Sequence, residues 1–345
     1  MSHYQFIIIG QGLAGSALAM TLISRKQSVL VIDENVGSSA SLVAGGMFHP
    51  MVFKQLTTCW LGLEGLKAGY EYYTSLEKLL NQKFYKHQKM LRVFGSDYER
   101  TQWEHLANTA EFSDLIESPL ATIPSGVIAP HGAAFVKKAG FVDTLIYLRA
   151  IQAYLKQIGA WRTEKFFPEK LQFNDQIICY DSVTAEYLIY ANGHAASHMK
   201  ELQSAFSVTM GDDLLVEMNN LDNILINGGV YVIPRGNSLF RVGSTYFRYP
   251  YTQSEEDGRN QILGKLRKII DAEIKVIDHQ RAFRPNIKDR RPLIGPLNSH
   301  RRIYSFNGMG SKGVLHAPLL ASHLADHLMD GTALMKEILP SRFQT

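Results

Sequence analysis

Apolar and polar positions alternate with different periods along this chain. An unbroken apolar run, Phe6-Ile7-Ile8-Ile9, opens it, and a second fills 28–32. Both read as buried parallel strands with a helix between them. Across 60–82, Trp60, Leu63, Leu66, Tyr70, Tyr73, Leu76, Leu79 and Leu80 recur at helical spacing. They predict a long amphipathic helix whose aromatic stripe faces a core. Residues 97–117 read as a polar helix. Asp143 stands where an N-cap belongs, ahead of an apolar-periodic stretch running to Ile158. Short strands follow at 161–167, 170–173, 177–180 and 187–190. Residues 206–250 alternate and carry turn signals, with strands at 230–233 and 239–242. A helix over 255–271, a strand at 303–306 and a helix over 314–329 complete the pattern. No tandem repeat is visible.

Glycines punctuate the first run at Gly10-Gln11-Gly12-Leu13-Ala14-Gly15, and Asp33 closes the second. Strand, glycine turn, helix, strand and acid follow in the order a dinucleotide site requires, with the acid about 20 residues on. Gly10 permits the turn, Gly12 lets backbone approach a pyrophosphate, and Gly15 lets the helix lie on the strand. The first helical turn then offers its N–H groups and dipole to phosphate. Asp33 would accept hydrogen bonds from a ribose.

The length, 345 residues, suggests two domains, and 46% hydrophobic against 20% charged residues is ordinary for a globular protein. No apolar run is long enough to span a membrane, and the glycine turn interrupts what would be a signal-peptide core, so a cytoplasmic protein is expected. Cys59 and Cys179 form neither a CxxC nor a metal-ligand spacing; Cys179, in the apolar run 176–180, reads as a core residue. A net charge of +4 admits an anionic substrate or partner without indicating nucleic acid.

Strand–glycine loop–helix thus occurs at both ends, with a helix-rich and a β-rich insertion between. The expected fold is α/β: a discontinuous Rossmann-like domain of 1–50, 140–205 and 295–345, and a substrate domain of 51–139 and 206–294, β-rich in its second part.

Three segments resemble the D-amino-acid-oxidase superfamily of FAD-dependent amine oxidases. One is the fingerprint followed by Ser38-Ser39-Ala40-Ser41-Leu42-Val43-Ala44-Gly45-Gly46-Met47. Another is Tyr187-Leu188-Ile189-Tyr190-Ala191-Asn192-Gly193-His194. The third is Phe283-Arg284-Pro285 through Pro292-Leu293-Ile294-Gly295-Pro296, followed by 308–318. The stretch from Val230 to Thr245 is similar to glycine oxidase. The loop 308–313 and Asn192-Gly193-His194 look more like the FAD domain of the bifunctional tRNA enzyme that makes 5-methylaminomethyl-2-thiouridine. The methyltransferase half of that enzyme is not expected, because the fingerprint begins at once.

The resemblance implies non-covalent FAD, hydride transfer from a Cα–H to flavin N5, and oxygen as acceptor. It assigns the cofactor to Gly10, Gly12, Leu13, Ala14, Gly15, Asp33, Ser41, Ala44, Gly45, Gly46, Met47 and Phe167. Asn192, Gly193, Gly310, Ser311, Lys312, Gly313 and Val314 complete the set. No cysteine stands near Arg284, and Leu42 and Val43 replace a linking histidine, which argues against covalent attachment. The implied substrate is a small amine or amino acid bearing a carboxylate; a modified tRNA wobble uridine is the alternative. Arg284 is the implied carboxylate anchor, or else the ion-pair partner of Asp289. Lys312 either places charge near the flavin or is a solvated lysine. Ser311 stands where glycine oxidase has a second arginine. His49, Tyr231 and Tyr246 either line the pocket or pack, and His194 reads as a packed residue. Arg290, Arg291, His300, Arg301 and Arg302 are a basic cluster, either solvated turns or a phosphate-binding patch.

Overall fold

The computed structural model describes residues 1–35, 39–174, 177–297 and 300–343, so Ser38 and Gln176 lie outside the described residues. Five parallel strands form its first sheet, in the order Trp161–Thr163, Val29–Asp33, Ser2–Ile9, Val183–Tyr190 and His300–Asn307. Leu293–Leu297 adds an antiparallel edge beyond the last. Ile177–Tyr180 and Leu171–Asn174 extend the first half of Val183–Tyr190 as an antiparallel meander. The central strands are buried on both sides, as their unbroken apolar runs require.

Helices Leu13–Ser24, Gly62–Leu80, Thr144–Gln157 and Gly313–Asp330 share one core with one face of this sheet. Asp143 caps the third by accepting from Ile146 N, at the position the sequence predicts. Helix Gly62–Leu80 departs from the expected stripe. Leu63, Tyr70 and Leu79 are exposed, while Gly62, Gly65, Gly69, Tyr73 and Leu76 are buried. A Cβ on Gly65 would come within 2.9 Å of Leu315 O. Gly65 therefore lets this helix press onto the C-terminal one and Gly69 makes room for Phe48, and this close packing displaces the larger side chains outward.

The second sheet has seven strands: Ile274–Arg284, Thr209–Met218, Leu239–Gly243, Tyr231–Gly236, Leu225–Asn227, Met90–Val93 and Ala133–Val136. All its pairings are antiparallel except Leu225–Asn227 with Met90–Val93. The stretch read as a helix-rich insertion thus supplies two strands to the second sheet.

Two predicted helices stop early. Asp97–Ala107 ends where Asn108 and Thr109 side chains take the carbonyls of Glu104 and Leu106, both at 2.8 Å. Glu255–Leu266 ends where Ile269 and Ile270 turn into the core. Cys179 is half-buried on an outer strand rather than in the core.

Candidate active site

A cleft of 1520 Å³ opens at the carboxyl ends of the parallel strands and runs across to one face of the second sheet. That is larger than the roughly 300–1,000 Å³ of an ordinary small-ligand pocket, and it lies where open α/β sheets bind ligands.

At the first sheet, Gly10 turns with φ +100, and a Cβ there would meet Ala191 O at 2.7 Å. A Cβ on Gly15 would collide with Gly10 O, so helix, turn and strand cross in contact. Gly12, Leu13 and Ala14 present the helix N-terminus to the cleft. Ser41 Oγ accepts from Leu13 N at 3.0 Å. Asp33 Oδ2 accepts from Gln11 N at 2.7 Å and Oδ1 from Asn35 N at 2.6 Å, which fixes the carboxylate at the cleft edge.

The loop carrying Ala44, Gly45, Gly46 and Met47 is tied from two sides. Thr144 Oγ1 donates to Ala44 O at 3.0 Å, and Arg235 Nη2 donates to Gly45 O at 3.1 Å. Asn192 Oδ1 accepts from Asn307 Nδ2 at 3.1 Å, joining the ends of two parallel strands beside Gly193. Gly310 and Ser311 form a short turn, exposed at Ser311, that leads into Gly313, Val314 and the C-terminal helix.

Lys312 is not a solvated lysine. Its Nζ donates to His49 O at 3.3 Å and Met51 O at 3.4 Å, and burial lowers its pKa. His49 is buried and stacked on Phe53, with ring centroids 5.1 Å apart, and its Nδ1 has no hydrogen-bond partner among the described residues. Burial, then the charges of Lys312 and Arg92, hold its pKa well below the usual value, so the ring is neutral.

At the second sheet, Arg284 Nη1 donates to Thr209 Oγ1 and Nη2 to Ser244 Oγ, both at 3.3 Å. Its guanidinium carbon lies 4.2 Å from the centre of the Tyr246 ring, which is 56% exposed. Arg284 has no carboxylate partner among the described residues; Asp289 is held by Arg342. The ion-pair alternative is therefore excluded. Tyr231 donates its hydroxyl to Asp213, and its ring packs where a Cβ on Gly45 would be. Its hydroxyl is thereby committed to a protein acceptor.

A family model for FAD-dependent oxidoreductases, DAO, matches residues 5–327. The chain belongs to the DAO family.

Relatives of this DAO-family chain include a glycine oxidase from Bacillus subtilis, 22% identical over 95% of the chain and 94% of the relative. Another is the tRNA 5-methylaminomethyl-2-thiouridine biosynthesis bifunctional protein MnmC from Marinobacter nauticus, 21% identical over 98% of the chain. The chain spans 58% of that relative's length. Among solved structures, glycine oxidase from Geobacillus kaustophilus matches with a TM-score of 0.76 at 17% identity, covering 97% of the chain and 96% of the neighbour. That likeness shows the shared fold.

The DAO-family fold separates some residues that the sequence groups. Leu293 pairs with Asn307 and Leu297 with His300. Arg290 and Arg291 therefore lie toward the cleft end of the sheet, and His300, Arg301 and Arg302 at the opposite end. Arg291 covers Trp60, and His300 stacks on Phe173. Phe167 stands outside the cleft wall, its ring beneath Lys165 and Lys170, while Phe166 and Pro168 line the cleft. His194 stacks on Phe283 with centroids 4.8 Å apart. Neither cysteine lines the cleft. Among the described residues no helix is long and apolar enough to cross a membrane.

Sequence reasoning missed Asp213, Arg241 and Gln280, which also line the cleft. Two adjacent aspartates at the start of an apolar strand were the available signal: one of them must face each side.

The cleft fits FAD. A glycine cradle that a Cβ would fill, a helix N-terminus and a fixed carboxylate stand together at one end. His49, its Nδ1 unpartnered among the described residues, also lines the cleft.

Proposed function

We propose that this FAD-dependent oxidoreductase oxidises the C–N bond of a small, glycine-type amine, anchoring its carboxylate on Arg284. The observation that carries this reading is a guanidinium in the cleft wall with hydroxyl partners and an aromatic platform but no carboxylate. A guanidinium keeps its charge and offers a fork that matches a carboxylate. Thr209, Ser244 and Tyr246 hold the fork in place, so little entropy is lost when a substrate docks.

FAD, bound non-covalently, would accept the hydride from the substrate Cα–H, leaving an imine that hydrolyses. Residues of 1–50, 140–205 and 295–345 are assigned to holding it, and those of 51–139 and 206–294 to the substrate. Gly10, Gly12 and Gly15 with the helix start at Leu13 and Ala14 receive the pyrophosphate, and Asp33 the adenosine ribose. Ser41 and the 44–47 loop, with Asn192 and Gly193, close over the centre. The helix start at Gly313 and Val314, with Lys312, supplies positive charge for the negative charge that reduction places on the ring. His49, being neutral, adds no charge of its own to that field.

Anaerobic addition of carboxylate-bearing amines tests the reading: one or more should bleach the flavin absorbance, and the decarboxylated analogue should do so far more weakly. Bleaching by both alike refutes it. A modified tRNA uridine is the second reading, carried by the MnmC relatives. The division of the basic residues between two ends of the sheet weighs against it. Salt-sensitive tRNA binding would restore it.

A further inference from the structure

Three neighbouring strands raise a row of charges on the cleft wall. Thr209 lies opposite Arg284, Asp213 opposite both Gln280 and Gly243, and Leu215 opposite Arg241. Side chains alternate along strands, so Arg284, Gln280, Asp213 and Arg241 stand on one face. All four line the cleft. The guanidinium of Arg284 folds over Gly211, where a Cβ would lie 2.8 Å from Nη2. Gly211 is one alternation from Asp213. On the far side, Arg241 Nε is 3.2 Å from Asp213 Oδ1, and Arg241 Nη1 donates to Gln280 Oε1 at 3.2 Å. The order across the sheet is guanidinium, carboxylate, guanidinium.

The row is not balanced within the protein. Asp213 Oδ2 accepts from Tyr231, whereas Oδ1 has only the ion-pair contact with Arg241 Nε and no further partner among the described residues. Burial pushes the Asp213 carboxyl up to about 7, against the pull of Arg241, Tyr231 and Arg235. The row thus holds two guanidiniums and a single carboxylate, which pairs with Arg241 alone and leaves Arg284 free.

We propose that the substrate is a secondary amine carrying two carboxylates, of the N-carboxymethyl amino acid class. One carboxylate binds Arg284, the other binds Arg241 beside Gln280, and the ammonium lies between them at Asp213. The substrate's charge order, minus, plus, minus, complements the row. This rests on the reading of Arg284 as a carboxylate anchor and extends it to the other end of the substrate.

Two pairs of probes test it on the FAD-loaded protein. Thiodiglycolate and (methylthio)acetate carry two and one carboxylates and no C–N bond, and their binding is read from the flavin spectrum. Iminodiacetate and sarcosine are compared in anaerobic flavin reduction. The dicarboxylate should be favoured roughly tenfold or more in each pair, the value of one charge-assisted hydrogen bond. Arg241→Gln should bring both ratios close to one. Gln280→Leu, which keeps the Arg241–Asp213 pair, should lower them part-way and decides the matter should Arg241→Gln fail to fold. A parent protein without the preference, or an Arg241→Gln protein that keeps it, overturns the proposal. Arg284→Ala separates the two readings. If it weakens the monocarboxylate while the parent ratio is near one, only this proposal falls. If it leaves monocarboxylate binding intact, the anchor reading falls and this proposal with it.

Discussion

Arg342 grips both carboxylate oxygens of Asp289, Nε to Oδ2 at 2.7 Å and Nη2 to Oδ1 at 3.1 Å. The acid that follows Arg284 in sequence is therefore spent elsewhere, and Arg284 faces the cleft as a charge without a counterion among the described residues. Arg284→Ala should lower kcat/KM for a carboxylate-bearing amine by roughly tenfold to a hundredfold, with FAD content near that of the parent. Arg284→Lys keeps the charge but loses the fork, so the apparent KM should rise and kcat should fall through misplacement. The check is the substrate against its decarboxylated analogue in both proteins. Equal discrimination in parent and variant would show that Arg284 does not read the carboxylate.

Gly211→Ala should damage the same interaction from beneath. The new methyl would meet Arg284 Nη2 at 2.8 Å and Thr245 O at 3.0 Å. The backbone cannot yield, so the guanidinium must shift. Steady-state kinetics should show KM rising several-fold with a smaller change in kcat, and FAD retention unaltered. Unchanged KM would mean that the position of Arg284 is not set by this strand.

Much of the scaffold was legible because it rests on local rules. The buried runs at 6–9 and 29–32, the Gly10–Gly12–Gly15 spacing and the Asp143 cap each leave a signal within a few residues. The second sheet was harder. Met90–Val93 and Ala133–Val136 are short strands, and their place beside Leu225–Asn227 depends on partners far along the chain. Asp213 and Arg241 were missed for the same reason. Only the register of three strands puts them beside Arg284, and pattern within one strand cannot supply a register between strands. The buried stripe of helix Gly62–Leu80 failed differently: hydrophobicity favours the large side chains, but the C-terminal helix approaches Gly65, and Phe48 approaches Gly69, closely enough to take the glycines.

Asp33 should govern cofactor affinity rather than chemistry. Its carboxylate is oriented by Gln11 N and Asn35 N, with lone pairs left for a ribose. Asp33→Ala should lose flavin on dialysis and recover turnover with excess FAD. A protein that keeps FAD as tightly as the parent would refute the assignment. Acid precipitation of the parent should release the yellow colour into the supernatant, since no cysteine lines the cleft.

Asp213 should impose a pH dependence on stability. An unfolded aspartate titrates near 3.9, whereas burial places the folded carboxyl at about 7. Between these values the native state holds a proton that the unfolded chain has lost, so stability falls as pH rises. The contribution is whole below about pH 4 and is lost as the pH passes through about 7. Asp213→Asn keeps the shape and cannot ionise. Its melting temperature relative to the parent should therefore climb between pH 5 and pH 8, by about 1–2 °C for each kcal/mol of relief in a chain of this size. Loss of the donated Tyr231 hydrogen bond would shift the variant by a constant amount at every pH and leaves the slope to report on ionisation. Thermal unfolding across that range, read by circular dichroism, decides the point. A difference that does not change with pH would show that Asp213 stays ionised in the folded protein, with Arg241 as its full counterion.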